Sequence, residues 1–264
     1  MPSELVSSFE RGGRWAGAVR ALRGAARDVV TDPAIIDAYR RDQGAAGLLD
    51  AGHPLAVVRA RTADEVQAVV SVAASHSVPV VPRGAGSGLS GGANATDGAV
   101  VLSLEKLTAI IDVDDAAMTA TVEAGVVNAE LRAAVAPLGL WYAPDPASRD
   151  VCTIGGNIAT NAGGLCCVKY GTTRDAVLSM DVVLADGRLV SVGSGARKSV
   201  VGYDLRSLFC GSEGTLGVVT RATVRLLPTP PVAATMVAGF SSLAAAGAAA
   251  VRIMRGITPS VLEL

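Results

Sequence analysis

The sequence contains few aromatic residues and few histidines. Aromatic side chains make up 3% of its 264 residues, so the core has to be built from Val, Leu, Ile and Ala. The two histidines, His53 and His76, lie too far apart in the sequence to suggest a shared metal site, and we expect no bound metal. The four cysteines are Cys152, Cys166, Cys167 and Cys210, and they lack the C-x-x-C spacing of a zinc site or redox pair. A redox sensor at the adjacent pair Cys166-Cys167 is a minor alternative.

The sequence also lacks a strong charge imbalance. Its formal net charge is −1 and no run of four basic residues occurs, which argues against nucleic acid as a partner. The first residues do not form a charged and then apolar leader, so we expect no secretory signal, a cytoplasmic location and reduced thiols. Residues 226–251 carry no charge, but prolines at the start and serines in the middle interrupt them, so we expect no membrane span.

The most informative stretch is rich in glycine and follows a short apolar segment. It reads PRGAGSGLSGG, spans residues 82–92 and follows a predicted strand at 78–81. Glycine permits positive φ, expected here at Gly86 and Gly88, and lets a ligand approach the main chain. A run of inward-facing N–H groups makes a concave anion site, and its length favours a pyrophosphate. The alternative is a flexible surface loop, which agrees less well with apolar strands on both sides.

Two better-known phosphate-binding loops do not match this stretch. A P-loop requires a lysine after its last glycine, and none occurs between Arg83 and Glu105. Residues 86–91 do spell G-x-G-x-x-G, but a dinucleotide fold then requires a helix that continues from the last glycine. A turn at 94–98 and a strand at 100–104 are predicted instead, so nicotinamide binding is only a minor alternative.

The order of predicted elements places this loop at the edge of a sheet. A strand at 55–58 precedes a helix that Thr62 and Glu65 open as a capping box, and this helix has one apolar face that begins at Val66. Strand, helix and strand then bring the glycine loop to the C-terminal end of a strand, where open α/β sheets bind ligands. Further strands are predicted at 110–113, 118–122, 176–185, 189–192 and 218–227, with a hairpin turn at Asp186-Gly187. Helices are predicted at 5–23, at 128–136 with Asn128 as the cap, and at 205–209 with Asp204 as the cap. The last predicted elements are a strand at 232–240, a helix at 241–255 and a strand at 258–264.

A second informative stretch begins at Pro144. It reads PDPASRDVCTIGGNIATNAGG, spans residues 144–164 and is followed by a further glycine at 171. Glycine pairs and amide side chains between apolar residues suit a backbone packed against a flat ligand. We predict an irregular loop here, and about twenty residues without regular structure inside a compact domain usually have a binding function. As architecture alone, the same residues could form a buried irregular loop.

Together with LFCGSEGTLGVVT at 208–220, these motifs resemble those of the vanillyl-alcohol oxidase and para-cresol methylhydroxylase type of FAD-binding domain. The most similar branch is the FAD-linked 2-hydroxy-acid oxidases, which include glycolate oxidase, D-lactate dehydrogenase and D-2-hydroxyglutarate dehydrogenase. The resemblance implies an α+β fold, in which a two-subdomain FAD-binding domain of the para-cresol methylhydroxylase type precedes an incomplete ferredoxin-like cap. The implied division is an N-terminal helical extension at 1–38, the FAD-binding domain at 39–228 and the start of a truncated cap at 229–264.

The same resemblance implies which residues hold FAD. Relatives with a covalent flavin carry a histidine in the first glycine loop, whereas Ser87 or its neighbour stands at the matching position here, so the implied FAD is non-covalent. The first loop would hold the pyrophosphate, the second stretch would line the ribityl chain and isoalloxazine, and the third motif would lie near the pyrophosphate, ribose and adenine. The implied residues are Pro82, Arg83, Gly84, Ala85, Gly86, Ser87, Gly88, Leu89, Ser90, Gly91, Pro144, Asp145, Ser148, Thr153, Gly155, Gly156, Asn157, Asn161, Gly163, Glu213, Gly214 and Val219.

The implied reaction is oxidation of a small-molecule 2-hydroxy acid, such as D-lactate, glycolate or D-2-hydroxyglutarate, to the 2-oxo acid by hydride transfer to flavin. A protein or a quinone would accept the electrons. Arg149, Lys169 and Arg174 are candidates for tuning the flavin, although such side chains are more often solvated charges. The family's metal- and substrate-binding histidines have no counterpart here, so the catalytic residues stay unassigned and a fragment is expected. The alternative is a non-catalytic flavin-binding or interaction remnant, and an incomplete cap should expose apolar side chains and favour self-association.

Overall fold

The first sheet is built from the apolar segments that flank the glycine loop. The computed structural model describes residues 15–45, 50–196, 198 and 200–264. The four strands of the first sheet are β1 (Val29–Val30), β2 (Ala56–Arg59), β3 (Val80–Arg83) and β4 (Val100–Ser103), in the spatial order β1-β2-β4-β3. The strand β4 pairs in parallel with β2 and β3, and β1 pairs antiparallel with β2. Every residue of β4 is buried, as its continuous apolar run requires.

Helices pack with this sheet to form the first core cluster. Those of the first core cluster are α1 (Ala16–Ala25) and α3 (Ala63–Ser75), whereas Ile36 of the short α2 (Pro33–Asp37) packs in a separate cluster with Val57, Ala95 and Val101. The α3 helix begins at the predicted cap, since Thr62 Oγ1 accepts a hydrogen bond from Glu65 N at 3.1 Å. Glu65 Oε2 accepts from Arg61 N at 2.8 Å and not from the N–H of Thr62, so the predicted capping box is only half formed. Its predicted apolar face is buried. Of the helix predicted at 5–23, residues 5–14 lie outside the described residues, and α1 accounts for the rest.

The second sheet is antiparallel throughout and follows the first in the chain. The strands that follow in the chain are β5 (Ile110–Asp114), β6 (Thr119–Glu123), β7 (Leu140–Trp141), β8 (Val177–Val183), β9 (Leu189–Gly193), β10 (Val218–Arg225) and β11 (Leu227–Pro228). Five of them form the second sheet in the order β5-β6-β10-β8-β9, and β7 and β11 form a separate pair. The strands β8 and β9 form the predicted hairpin through Asp186 and Gly187, and the φ of +85° at Gly187 suits the turn.

A second core cluster packs this sheet against apolar side chains of four later helices, while α3 contacts β8 and β10 and so lies between the two sheets. None of the helices among the described residues is long and apolar enough to cross a membrane. The remaining helices are α4 (Asn128–Val135), α5 (Ile154–Thr160), α6 (Cys167–Tyr170), α7 (Thr173–Ala176), α8 (Leu205–Phe209) and α9 (Leu243–Gly256). An α+β fold is therefore confirmed.

Two local predictions in the middle of the chain are wrong. The stretch predicted as an irregular loop contains α5, which Thr153 opens by accepting a hydrogen bond from Gly156 N at 3.2 Å. Asn128 does not cap α4; it is the first helical residue, and Val127 precedes it as the cap. The reason is that the Asn128 side chain turns into the core, where its Nδ2 donates to Pro144 O at 3.2 Å and to Asn157 Oδ1 at 3.1 Å. Asp204, by contrast, caps α8 as predicted.

The C-terminal region contains a helix without strands. The predicted helix at 241–255 is present as α9, which Ser242 caps by accepting a hydrogen bond from Ala245 N at 3.2 Å. The predicted strands at 232–240 and 258–264 are wrong, because neither segment pairs with a neighbouring strand. No residue of α9 is buried. Apolar residues of the C-terminal region are exposed as expected, both before the helix (Val237 and Phe240) and within it (Leu243, Val251 and Met254). A ferredoxin-like cap is therefore not confirmed.

Candidate functional site

A cleft lies where the glycine loop faces α5 and the segment that enters β10. The empty space between its walls, counted out to the open mouth, is about 960 Å³. The cleft therefore brings together the three motifs that the sequence predicts to act jointly. Its lining residues are Asp42, Pro82, Arg83, Gly84, Ala85, Gly86, Ser87, Gly88, Ser90, Gly92, Ala93, Leu104, Ser148, Thr153, Gly155, Gly156, Asn157, Ala159, Thr160, Ala162, Ser212, Glu213, Gly214, Gly217, Val218 and Val219.

Most of the predicted cofactor residues line this cleft, while a smaller group lies behind it. Within that group, Asn161 ends α5 in a left-handed conformation and its Oδ1 accepts a hydrogen bond from Arg174 N at 2.9 Å, so it supports the wall. Leu89 is absent from the lining and is 73% exposed. The predicted residues outside the lining are Leu89, Gly91, Pro144, Asp145, Asn161 and Gly163. For all of the predicted residues, the role in holding FAD stays a prediction.

At three of its glycines, the loop lies too close to neighbouring side chains to accept a Cβ without a shift. A Cβ at Gly84 would lie 2.4 Å from Thr153 Oγ1, and one at Gly92 would lie 2.2 Å from Glu213 Oε2. Gly86 has a φ of +70°, and a Cβ there would lie 2.1 Å from Arg83 Nη2. Gly88 differs, since its φ is not positive and a Cβ would meet only Asp42 Oδ2 at 3.7 Å, so the prediction of positive φ is right for Gly86 and wrong for Gly88.

Arg83 supplies a buried positive charge beside this loop. It is only 8% exposed, and burial lowers the pKa of its guanidinium. Its hydrogen bond from Nη1 to Ala93 O is long, at 3.5 Å, and its guanidinium carbon lies 5.8 Å from the centre of the Tyr39 ring. Within the described part of the chain, no carboxylate lies within salt-bridge distance of Arg83. A buried cation with so weak a set of partners fits an anionic ligand.

The opposite wall is made by α5, whose residues in the cleft are small. Gly155 is required by packing, because a Cβ there would lie 2.6 Å from the Cβ of Ala124. Behind the wall, Asn157 is buried and its Oδ1 accepts the hydrogen bond from Asn128 that fixes α5 against α4. The glycines of this wall leave room for a ring system to approach its backbone.

Glu213 connects the glycine loop to the second sheet. Ser90 Oγ donates to Glu213 at 3.1 Å from each carboxylate oxygen, and Glu213 N donates to Ala159 O at 2.8 Å. Its φ of +50° is unusual for a residue with a side chain, and such strain costs about 1–3 kcal/mol and is concentrated at functional sites. The structure thus joins all three motifs at one residue.

Other candidate residues lie elsewhere. Arg149, Lys169 and Arg174 do not line the cleft, and neither do His53 or His76. Arg149 lies 3.8 Å from Asp150, and Arg174 Nη2 donates to Cys210 O at 3.0 Å. Among the described residues, no group of His, Cys, Asp and Glu side chains could hold a metal ion. All four cysteines are free, and burial raises the pKa of Cys166 to about 11, which disfavours a reactive thiolate sensor.

Sequence reasoning missed several lining residues. Leu104 and Val218 follow or begin buried strands, and their apolar character gave no reason to place them at a ligand. Asp42 precedes the first predicted strand, in a segment with no motif and no periodicity. Its place in the cleft follows only from contacts with residues far along the chain.

Comparison with known proteins identifies the domain. Residues 54–193 match the FAD binding domain family. The chain belongs to this family. The cradle of glycine backbone, the buried Arg83 and the small residues of α5 fit the diphosphate and the ring system of FAD, the cofactor that the family model also indicates.

Curated relatives and solved structures extend the comparison. The chain is 44% identical over 211 residues to glycolate oxidase subunit GlcD of Bacillus subtilis, covering 80% of this chain and 45% of that protein. It is 41% identical over 228 residues to D-lactate dehydrogenase of Archaeoglobus fulgidus, covering 86% of this chain and 51% of that protein. Its fold is similar to that of p-cresol methylhydroxylase, with a TM-score of 0.73 and 25% identity over 83% of this chain and 44% of that one. The chain thus spans about half the length of the relatives it matches.

Proposed function

We propose that this chain is the FAD-binding part of an oxidoreductase that converts a 2-hydroxy acid to the 2-oxo acid. The observation that carries the proposal is the convergence of the three motifs on one cleft, in a chain whose relatives include glycolate oxidase, D-lactate dehydrogenase and D-2-hydroxyglutarate dehydrogenase. When bound, FAD supplies the two-electron acceptor that this oxidation requires.

The lining residues suggest how FAD is oriented. The loop at 84–92 offers backbone N–H groups to the pyrophosphate, and Arg83 balances part of its negative charge. The small residues of α5 and Ser148 are proposed to flank the isoalloxazine, and Glu213, Gly214 and Val219 to lie toward the ribose and adenine. In this arrangement the chain binds and orients the cofactor, and no residue of it is assigned a proton transfer.

The oxidised substrate, the acceptor and the assembly are further parts of the proposal. Small 2-hydroxy acids fit the activities for which the relatives are named, and a protein or a quinone is the proposed acceptor. We propose a cytoplasmic location, FAD binding by residues 39–228 and a C-terminal cap region from 229 onward. The exposed apolar side chains of α9 support self-association of the isolated chain.

The decisive experiment separates cofactor binding from turnover. The purified chain is reconstituted with FAD, its absorbance is recorded, and reduction of a dye acceptor is followed with glycolate, D-lactate and D-2-hydroxyglutarate. A flavin spectrum with dye reduction by one of the acids supports the full proposal. A flavin spectrum without turnover fits both the FAD-binding part of an oxidoreductase and the alternative, a non-catalytic flavin-binding remnant; activity gained when the remaining half of a relative such as glycolate oxidase subunit GlcD is joined to the chain would favour the first. A folded chain that retains no FAD refutes both.

A further inference from the structure

Asp42 lies on the wall of the cleft beside the glycine loop. Both of its carboxylate oxygens accept hydrogen bonds from backbone, Oδ2 from Gly91 N at 2.7 Å and Oδ1 from Gly44 N at 2.9 Å. Its own N–H donates to Asn94 Oδ1 at 2.8 Å. Asp42 therefore forms charge-assisted hydrogen bonds that connect two segments 49 positions apart in the chain.

Neighbouring backbone bonds reinforce this connection. Gln43 N donates to Gly88 O at 2.9 Å, and Ala95 N donates to Arg40 O at 2.9 Å. The two segments touch so closely that a Cβ at Gly44 would lie 2.8 Å from the carbonyl oxygen of Leu89. The segment 40–44 thus lies along the second half of the glycine loop and fixes its path.

The sign of the charge at Asp42 makes this arrangement informative. A carboxylate on the wall of a cleft for a diphosphate repels the ligand, so electrostatics alone would disfavour an acidic residue here. The charge of Asp42 also favours the charged form of the Arg83 guanidinium, although burial has the larger effect on the pKa of Arg83 and lowers it. Its presence is explained if the geometry that it imposes on the loop outweighs the repulsion.

We propose that Asp42 is a positioning residue for the cofactor, which holds the glycine loop in the conformation that binds a diphosphate. The inference rests on the proposed FAD site. By accepting from Gly91 N, the carboxylate fixes the second half of the loop, while the N–H groups of Gly84, Gly86 and Gly88 have no backbone partner among the described residues and stay available to the ligand. An unanchored loop would have to be ordered during binding, at a cost in affinity.

The test compares Asp42→Ala, Asp42→Asn and Asn94→Ala with the control Asp115→Ala, which removes an exposed carboxylate from the turn between β5 and β6. FAD affinity is measured by titration of the apoprotein, and amide hydrogen exchange at Gly91 is measured without FAD. Asp42→Ala should raise the Kd for FAD about 10- to 100-fold and speed exchange at Gly91. Asp42→Asn keeps one acceptor oxygen and should lose less, and Asp115→Ala should bind FAD as the wild type does.

The outcomes separate this inference from the proposal on which it rests. Unchanged or tighter FAD binding by Asp42→Ala would overturn the positioning role, and tighter binding would show that repulsion dominates. If Asp42→Ala does not fold, Asp42→Asn and Asn94→Ala carry the same test, and equal FAD affinity in both and the wild type overturns the inference. A wild-type chain that binds no FAD refutes the proposed function instead, and faster exchange at Gly91 in the variants would then still show the anchoring.

Discussion

The substitution Gly86→Ala tests the glycine loop most directly. At a φ of +70°, a residue with a Cβ costs about 1–2 kcal/mol relative to glycine. The new Cβ would also lie 2.1 Å from Arg83 Nη2 and 2.3 Å from its Cζ, so the guanidinium has to move. If Arg83 then loses its charge-assisted contact with the diphosphate, about 1.5–3 kcal/mol more is lost. The first effect is present in the free protein as well and lowers its folding stability, so FAD binding weakens by the second, about 1.5–3 kcal/mol or roughly one to two orders of magnitude in Kd.

Gly88→Ala is the matched control in the same loop. Its Cβ would meet Asp42 Oδ2 at an ordinary 3.7 Å, without positive φ, so we expect a change of at most about 1 kcal/mol. FAD titration followed by flavin fluorescence, with circular dichroism to confirm folding, compares the two variants. In an Arg83→Ala background, Gly86→Ala should lower only the folding stability, by about 1–2 kcal/mol for the positive φ, because the clash with the guanidinium is gone. A folded Gly86→Ala protein with wild-type affinity would refute this account of the loop.

Four further outcomes are expected. Acid or heat precipitation should release the flavin into the supernatant, because no histidine of the described residues lines the cleft; flavin retained by the polypeptide would show a covalent link. Asn128→Ala should lower the free energy of unfolding in urea by about 1–3 kcal/mol, since it removes two buried hydrogen bonds. The side-chain hydrogen bond from Arg206 lowers the pKa of Asp204 from its ordinary value of 3.8 to about 2, so the stability that ionised Asp204 contributes is present above about pH 4 and lost as the pH falls toward 2. In Asp204→Asn, the free energy of unfolding should therefore depend less on pH between about 4 and 2, and a pH dependence equal to that of the wild type would contradict this. Sedimentation of the isolated chain should show self-association that weakens when exposed apolar residues of 243–256 are made polar, and a monomer at all concentrations would contradict it.

The sequence predicted best the elements whose pattern depends on neighbours in the chain. The buried face of α3 follows from periodicity, and its N-terminus follows from the side chain of Thr62. The strands of both sheets follow from apolar runs, with the exception of β1, which was not predicted, and their ends shift by a residue or two. The convergence of the motifs was also predictable, because each glycine cluster follows or precedes a strand and one ligand would explain all three.

Features set by contacts across the chain were not predictable in the same way. The pair Gly155-Gly156 argues against a helix, yet α5 forms because Thr153 caps it and Gly155 is needed for close packing on Ala124. Asparagine is a common N-cap residue, but the Asn128 side chain lies in the core, where its amide donates hydrogen bonds to Pro144 O and Asn157 Oδ1. In both cases a tertiary contact outweighs the local preference of the residue.

The C-terminal region shows the same distinction between local and distant interactions. Residues 243–256 form a helix although none of them is buried, because a helix satisfies its backbone hydrogen bonds within itself and Ser242 caps its first turn. The flanking segments at 232–240 and 258–264 have apolar residues typical of strands, but a strand requires a partner edge, and no strand of the described residues pairs with them. Their apolar pattern therefore indicates surfaces that need a partner before they can adopt regular structure. This is the physical basis for expecting that the isolated chain, whose cleft is already formed by residues 42–219, binds its cofactor while its C-terminal region associates with other chains.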